Sequence, residues 1–326
     1  MAGAPEHFGD VAAEYRALRT HAAVYDLGDR VLVRATGPDR VEFLQGMLTN
    51  DVASLRAGAG CAALLLTIQG RVVADLRVAA LDDALLLDVD RHARAGFLEA
   101  LGRLIIADDV ELAPDEETTL VGLAGPAAAR LLPELAPLAA FAHVMGSVGG
   151  VAVRLVRASS VGGDGAILHV RTSEVPRLWD ALVAAGAVPC GTAALEARRI
   201  ECGIPRLGLD MGEKTLALEV PVESAISITK GCYLGQEVIA RGTARGHVNR
   251  RLCGLVFAGG TPAAGTPLAR DGHEVGHVTS VAQSPALACA VGLGFVRREH
   301  WEAGTELTAA GGGTSIVARV AGWPLA

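Results

Sequence analysis

Residues 230–237, Lys230-Gly231-Cys232-Tyr233-Leu234-Gly235-Gln236-Glu237, followed by Arg241, bring together residue types that are scarce elsewhere in the chain. The 326 residues include two lysines, three tyrosines and six cysteines, and one of each falls within the first four positions of this segment. A thiol beside an ammonium is a nucleophile or redox group, because nearby positive charge lowers its pKa below the free value of about 8.5. Residues 222–229 are β-branched and read as a short strand with Val222, Ser224, Ile226 and Ile228 on one face. Gly231 supplies a turn, and helix-compatible residues begin at Tyr233. Cys232 is therefore expected near a helix N-terminus, where the dipole also favours a thiolate. This reading makes Cys232 the reactive thiol and Lys230 its electrostatic partner, with Tyr233, Gln236 and Glu237 as positioning groups. Cys61, Cys190, Cys253 and Cys289 sit among Ala, Leu, Pro and Gly and read as packing residues, with Cys202 intermediate.

The elements that must carry such a site read as α+β. A helix over 12–20 is followed by a strand over 31–35, the loop Thr36-Gly37-Pro38-Asp39, and a helix over 40–48. Paired strands over 71–79 and 84–89 lead to a helix through Leu101 and a strand near Val110. Strands over 151–157 and 166–171 and a helix over 173–185 repeat the unit, which suggests sheets layered with helices. Beyond Asn249 helical periodicity almost vanishes. Gly259-Gly260, Gly265, Gly272, Gly276 and Gly311-Gly312-Gly313 punctuate short strands there, as in a small all-β barrel.

Composition narrows the function classes. At 51% hydrophobic and 20% charged, the chain suits a globular protein of two or three domains. No apolar run reaches the roughly 18 residues of a membrane span, and the N-terminus lacks a signal-peptide pattern, so a cytoplasmic protein with reduced thiols is expected. No Cys-x-x-Cys pair occurs, and of the dispersed histidines only His273 and His277 are four apart, in a Gly-flanked hairpin context, so no metal site is expected. A net charge of −7 disfavours generic nucleic-acid binding. Arg241, Arg245, His247, Arg250 and Arg251 form a basic connector that suits an anionic tail or RNA backbone, and equally a solvated linker.

The segment from Lys230 to Arg241 closely resembles the signature of the YgfZ family: Lys-Gly-Cys-Tyr, any residue, Gly-Gln-Glu, and Arg four residues after the Glu. Gly231, Gly235 and Arg241 belong to that match. Phe43-Leu44-Gln45-Gly46 with Thr49-Asn50-Asp51-Val52 is similar to the family's N-terminal folate-domain segment. Arg199-Ile200-Glu201-Cys202-Gly203-Ile204-Pro205 and Leu218-Glu219 look like the stretch leading to the thiol motif, and Gly276-His277-Val278-Thr279-Ser280 with Ser284-Pro285 looks like the C-terminal barrel.

The resemblance implies an α+β, three-domain cloverleaf like the glycine cleavage T-protein, around a channel that accepts tetrahydrofolate. Residues 1–245 would form two interleaved lobes, roughly 1–55 with 190–245 and 56–189, and 246–326 the barrel. It further implies a folate-binding accessory protein, not a self-contained enzyme. Such a protein supports iron-sulfur cluster assembly or repair, and through it tRNA modification, with iron-sulfur enzymes or assembly proteins as clients and a thiol redox partner. The alternative is a true aminomethyltransferase, the T-protein, working with a lipoyl carrier; a folate-binding module without thiol chemistry is a third class. The T-protein pattern has an Asp-Asp-Leu turn, and here Gly70-Arg71-Val72-Val73-Ala74-Asp75-Leu76 keeps the second acid. A pterin-reading glutamate in a Gly-Tyr-Glu run is replaced in Gly165-Ala166-Ile167. Arg199 matches a folate-contacting arginine. Arg199 and Asp75, with Asn50 and Asp51, are thus the folate-site candidates, although Asn50 and Asp51 also suit a turn. The replacements at Ala74 and Ile167 predict weakened pterin recognition and a failure to sustain glycine cleavage.

Overall fold

The structure is a computed structural model and describes residues 4–244, 247–311 and 314–326. Arg245 of the basic connector, and Gly312 and Gly313, lie outside the described residues. The N-terminal region runs Val11–Thr20 (α1), Ala23–Asp26 (β1), Arg30–Thr36 (β2), Arg40–Met47 (α2), Gly60–Leu66 (β3), Val72–Ala80 (β4), Leu85–Asp90 (β5), Arg94–Gly102 (α3), Glu111–Asp115 (β6) and Thr118–Ala124 (β7). It continues through Ala128–Leu131 (α4), His143–Val148 (β8), Val151–Val156 (β9), Gly165–Arg171 (β10), Val175–Ala184 (α5), Val188–Pro189 (β11), Thr192–Glu201 (α6) and Gln236–Ala244 (α7). The strands Arg250–Ala258 (β12), Pro267–Arg270 (β13), His273–Ser284 (β14), Cys289–Arg297 (β15), Glu306–Gly311 (β16) and Thr314–Ala321 (β17) complete it.

Three sheets result: a six-stranded sheet ordered β11-β1-β7-β10-β9-β8, a five-stranded sheet ordered β3-β4-β5-β2-β6, and a closed six-stranded barrel of β12 to β17. The expected α+β fold with a C-terminal barrel is therefore present. Closure leaves the barrel no edge strand, which is how Gly-punctuated short strands with little helix to cover them become stable. Strand pairing divides the N-terminal region differently from the expected lobes. The corner Leu27-Gly28-Asp29 sends β1 into one sheet and β2 into the other, so 30–115 builds the five-stranded sheet, and 118–189 with β1 builds the six-stranded one.

Alternation along β4 decides what each sheet face carries. Ala74, Leu76 and Val78 are buried in the core with Leu65, Leu87 and Phe97, while Asp75 and Arg77 project from the other face. A register shift between Leu65 and Leu66 places Val73 against the Ala74 core and Val72 in a different cluster with Leu64 and Leu66. Between the sheets and the barrel lies a junction core in which Leu64, Leu66, Ile200, Tyr233, Ile239, Leu252 and Phe295 pack together. No helix of the described residues is long and apolar enough to cross a membrane.

Two local expectations around the motif are corrected. Residues 222–229 form no strand; a 3₁₀ turn, Glu223–Ala225, leads into irregular chain. Its β-branched residues are overridden by long-range bonds: the Ser227 amide donates to the Thr49 carbonyl (3.0 Å) and the Thr49 hydroxyl donates to the Ala225 carbonyl (2.6 Å). The following helix starts at Gln236, not Tyr233, because Gly235 takes φ +83° immediately before it. Cys232 lies outside that helix and off its N-terminus.

Candidate functional site

A cavity of about 700 Å³ opens where the Tyr25-to-Arg30 corner, the polar face of β4, helix α6 and the 204–207 loop meet. Its floor is an ion cluster. Arg30 Nη1 donates to Asp75 Oδ2 (2.8 Å) and Arg30 Nε to Asp88 Oδ1 (2.7 Å), while Arg77 Nη1 donates to Asp88 Oδ2 (2.7 Å) and Arg77 Nη2 to the Ser160 hydroxyl (2.9 Å). Burial opposes charge on Arg30 and Asp88. The facing charges outweigh it, raising the guanidinium pKa and lowering that of the Asp88 carboxyl. Asp75 Oδ1, by contrast, is buried with no partner. A carboxylate held by one oxygen, with the other unbonded beside a cavity, is an acceptor ready for a ligand N–H. At the rim Arg206 bridges Asp29 and Glu196, each at 3.1 Å.

Asp75 lines this cavity. Arg199 also lines the cavity, but its role is corrected. Its Nε donates to Glu196, Nη1 to Asp210 (2.7 Å) and the Ile204 carbonyl (2.8 Å), and Nη2 to Glu196 (2.6 Å) and the Ser280 hydroxyl (2.9 Å). A guanidinium has five N–H donors, and these bonds take them all, leaving none for a folate carboxylate. Asn50 and Asp51 do not line the cavity. Asn50 Nδ2 donates to the carbonyls of Ala62 (2.7 Å) and Ser224 (3.1 Å), and Asp51 accepts from Gln45 Nε2 (3.0 Å), so both brace the turn after α2.

The thiol motif is a separate surface, and none of its residues lines the cavity. The expected pairing of Lys230 with Cys232 does not form. Lys230 Nζ donates to the carbonyls of Gln45 (2.6 Å), Leu48 (2.7 Å) and Asn50 (3.0 Å), at the C-terminal end of α2, and stands 5.1 Å from the centroid of the Tyr233 ring. Orphan carbonyls and the negative end of a helix dipole are a natural seat for an ammonium. Burial nevertheless pushes the Lys230 pKa down to about 8. Cys232 points to solvent, the exposed one of the six cysteines, whereas burial pushes the Cys61 and Cys190 thiols up to about 12. Gly231 is exposed, Tyr233 is buried in the junction core, and Gln236 opens α7. Glu237 and Arg241 pair with each other on the exposed face of that helix.

In the basic connector Arg250 bonds Glu219 (3.1 Å) and lies over Phe295, and Arg251 lies over Trp301. Both are thus engaged within the protein. His273 follows the Asp271-Gly272 turn at the head of β14, so the pair His273 and His277 sits on a hairpin strand.

The residues missed from sequence are Tyr25, Arg30, Arg77, Asp88 and Ser160. One signal for them was available: Asp88 interrupts the apolar run Leu85-Leu86-Leu87 of a strand buried along its whole length, where a charge persists only if paired.

Residues 4–230 match the GCVT N-terminal domain family and residues 250–325 match the glycine cleavage T-protein C-terminal barrel domain. The chain belongs to the glycine cleavage T-protein family. Among family relatives, an aminomethyltransferase of Rubrobacter xylanophilus is 34% identical over 304 residues, covering 90% of this chain and 81% of the relative. One from Halalkalibacterium halodurans is 30% identical over 332 residues, covering 98% of this chain and 91% of the relative. The crystal structure of the glycine cleavage system aminomethyltransferase T from Bartonella henselae superimposes with a TM-score of 0.87 at 23% identity, over 97% of this chain and 89% of that one. That likeness establishes the T-protein fold.

Proposed function

We propose that this T-protein family member binds tetrahydrofolate, or another reduced folate, in the Asp75 cavity and acts there on a one-carbon unit as an aminomethyltransferase. The observation that carries the reading is Asp75 Oδ1, buried and unpartnered at a cavity whose roughly 700 Å³ is the size of a small-molecule site. A reduced folate offers the N–H groups such an oxygen lacks. Arg30 fixes Asp75 through its other oxygen, so that Oδ1 is held in place to accept a hydrogen bond from a ligand nitrogen. The names of the relatives support the same activity. The loss of an acid at position 74 also weighs less than the sequence suggested. Ala74 projects into the apolar core, and a carboxylate there would point away from the cavity.

The test is a calorimetric titration with tetrahydrofolate. Asp75→Asn preserves shape and removes charge, and its dissociation constant should rise at least about tenfold, the scale of a lost charge-assisted hydrogen bond. No binding by the native protein, or equal binding by the variant, would sink this reading.

A second reading is favoured by one observation, the exposure of Cys232 within the YgfZ-like signature while the other five thiols are buried or partly covered. It makes the protein a folate-binding accessory factor that meets iron-sulfur enzymes or assembly proteins through that thiol. A reconstituted glycine cleavage assay with a lipoyl carrier separates the two. Turnover within about tenfold of an authentic T-protein supports the transferase, and folate binding without turnover supports the accessory role.

A further inference from the structure

Tyr25 is 1% exposed, yet its phenolic oxygen makes no hydrogen bond. The register across three adjacent strands shows where that oxygen goes. Tyr25 of β1 stands opposite Gly122 of β7, and Gly122 stands opposite Ile167 of β10, so all three project from one face. The Tyr25 ring lies across Gly122. A Cβ built on that glycine would fall 2.2 Å from Cζ, and 2.3 and 2.7 Å from the two Cε atoms. Because these are the distal ring atoms, the ring axis runs from β1 over β7, and the hydroxyl is carried beyond Gly122 toward the β10 side. There the Ser160 amide and the Ser159 hydroxyl approach it without reaching hydrogen-bond geometry. Both serines have other engagements: Ser159 Oγ donates to the Gly162 carbonyl (3.0 Å), and Ser160 Oγ accepts from Arg77 (2.9 Å). Tyr25, Ser160 and Arg77 all line the cavity that contains Asp75.

A residue needed only to fill this space would be phenylalanine, since a buried hydroxyl without a partner forfeits its hydrogen bonds to water and gains nothing. Gly122 makes room for the ring, which a phenylalanine would occupy equally, so the hydroxyl is the one part of the side chain that packing does not explain. We infer that the Tyr25 hydroxyl is a ligand contact, donating a hydrogen bond to an acceptor atom on the heterocycle of the bound folate. With Asp75 Oδ1 accepting from an N–H, the cavity selects a planar heterocycle that presents both a donor and an acceptor. This assignment rests on the folate reading above.

Tyr25→Phe removes the one oxygen and keeps the ring over Gly122. Titrated with tetrahydrofolate, the variant should bind about three- to tenfold more weakly than the native protein, the range of one neutral hydrogen bond. Without ligand it should melt at the same temperature or higher, because an unsatisfied buried hydroxyl is gone. An unchanged dissociation constant overturns the assignment. So does weaker binding together with a lower melting temperature, since the hydroxyl would then be holding the fold. A native protein that gives no heat with tetrahydrofolate removes the folate reading, and the Tyr25 contact with it. Native binding equalled by the variant removes the Tyr25 contact alone.

Discussion

At the scale of single residues, Lys230 and Cys232 sit two positions apart and meet different surroundings. The ammonium has turned inward to cap three carbonyls near the end of α2, so what sets Cys232 apart from the other thiols is its access to solvent. Reactivity of a thiol requires both access and thiolate, and burial denies the other sites one or both. Cys232 should be alkylated first at neutral pH, with Cys61 and Cys190, raised to about 12, modified only near that pH or on unfolding. Peptide mapping of alkylation against pH checks this, and faster modification of Cys61 or Cys289 would contradict it. Asp75 shows the same dependence on surroundings. One of its oxygens is paired with Arg30, and the other has no partner among the described residues.

At the scale of elements, the thiol loop is pinned by Gly235. Its φ of +83° suits glycine, and a Cβ there would approach the Thr67 carbonyl oxygen to 2.5 Å, at the β3–β4 turn. The Leu234 amide fastens the same loop to the Gly46 carbonyl (3.1 Å). Gly235→Ala combines a strained backbone with a clash against backbone, and should destabilise the fold by about 2 kcal/mol or more. Chemical denaturation reads the loss as a lower midpoint. A midpoint equal to that of the native protein would mean that the loop moves freely and is not held by the hairpin.

Across the whole molecule, Arg199 and Asp210 join the N-terminal region to the barrel. Arg199 on α6 donates to Ser280 on β14, and Asp210 accepts from the hydroxyls of Thr279 (2.5 Å) and Ser280 (2.7 Å). The Asp210 side chain is completely buried. Arg199→Ala would strand that carboxylate, and an uncompensated buried charge costs about 3 to 5 kcal/mol. The melting temperature should fall by several degrees while folate affinity stays within about twofold, because no Arg199 N–H faces the ligand. Tight folding with lost affinity would restore Arg199 as a folate contact.

What the sequence alone determined about this protein is the part governed by short-range physics. Period-two alternation marks β4 from Ala74 to Val78, a short apolar run marks β5, helical periodicity marks α5, and glycine spacing marks the barrel, because each depends on residues a few positions apart. Asp75 could be placed on a strand in the same way, whereas its candidacy as a site acid came from the resemblance to the T-protein pattern and not from local periodicity. That Ala74 beside it faces the core follows from the same alternation, once the buried face is known. The tertiary structure alone decided the partners. Lys230 finds carbonyls more than 180 positions away for two of its bonds, Arg199 finds Ser280 across 81, and Arg30 finds Asp75 across 45. No local pattern encodes such pairings. They arise where strands and helices distant in the chain bring buried charges together, since a charge removed from water must take whichever partner the packing offers. The thiol segment departs from the expected strand and helix start for the same reason: its backbone is held by Thr49 and by Gly46, distant in the chain and adjacent in the fold, which outweighs the preferences of its own residues.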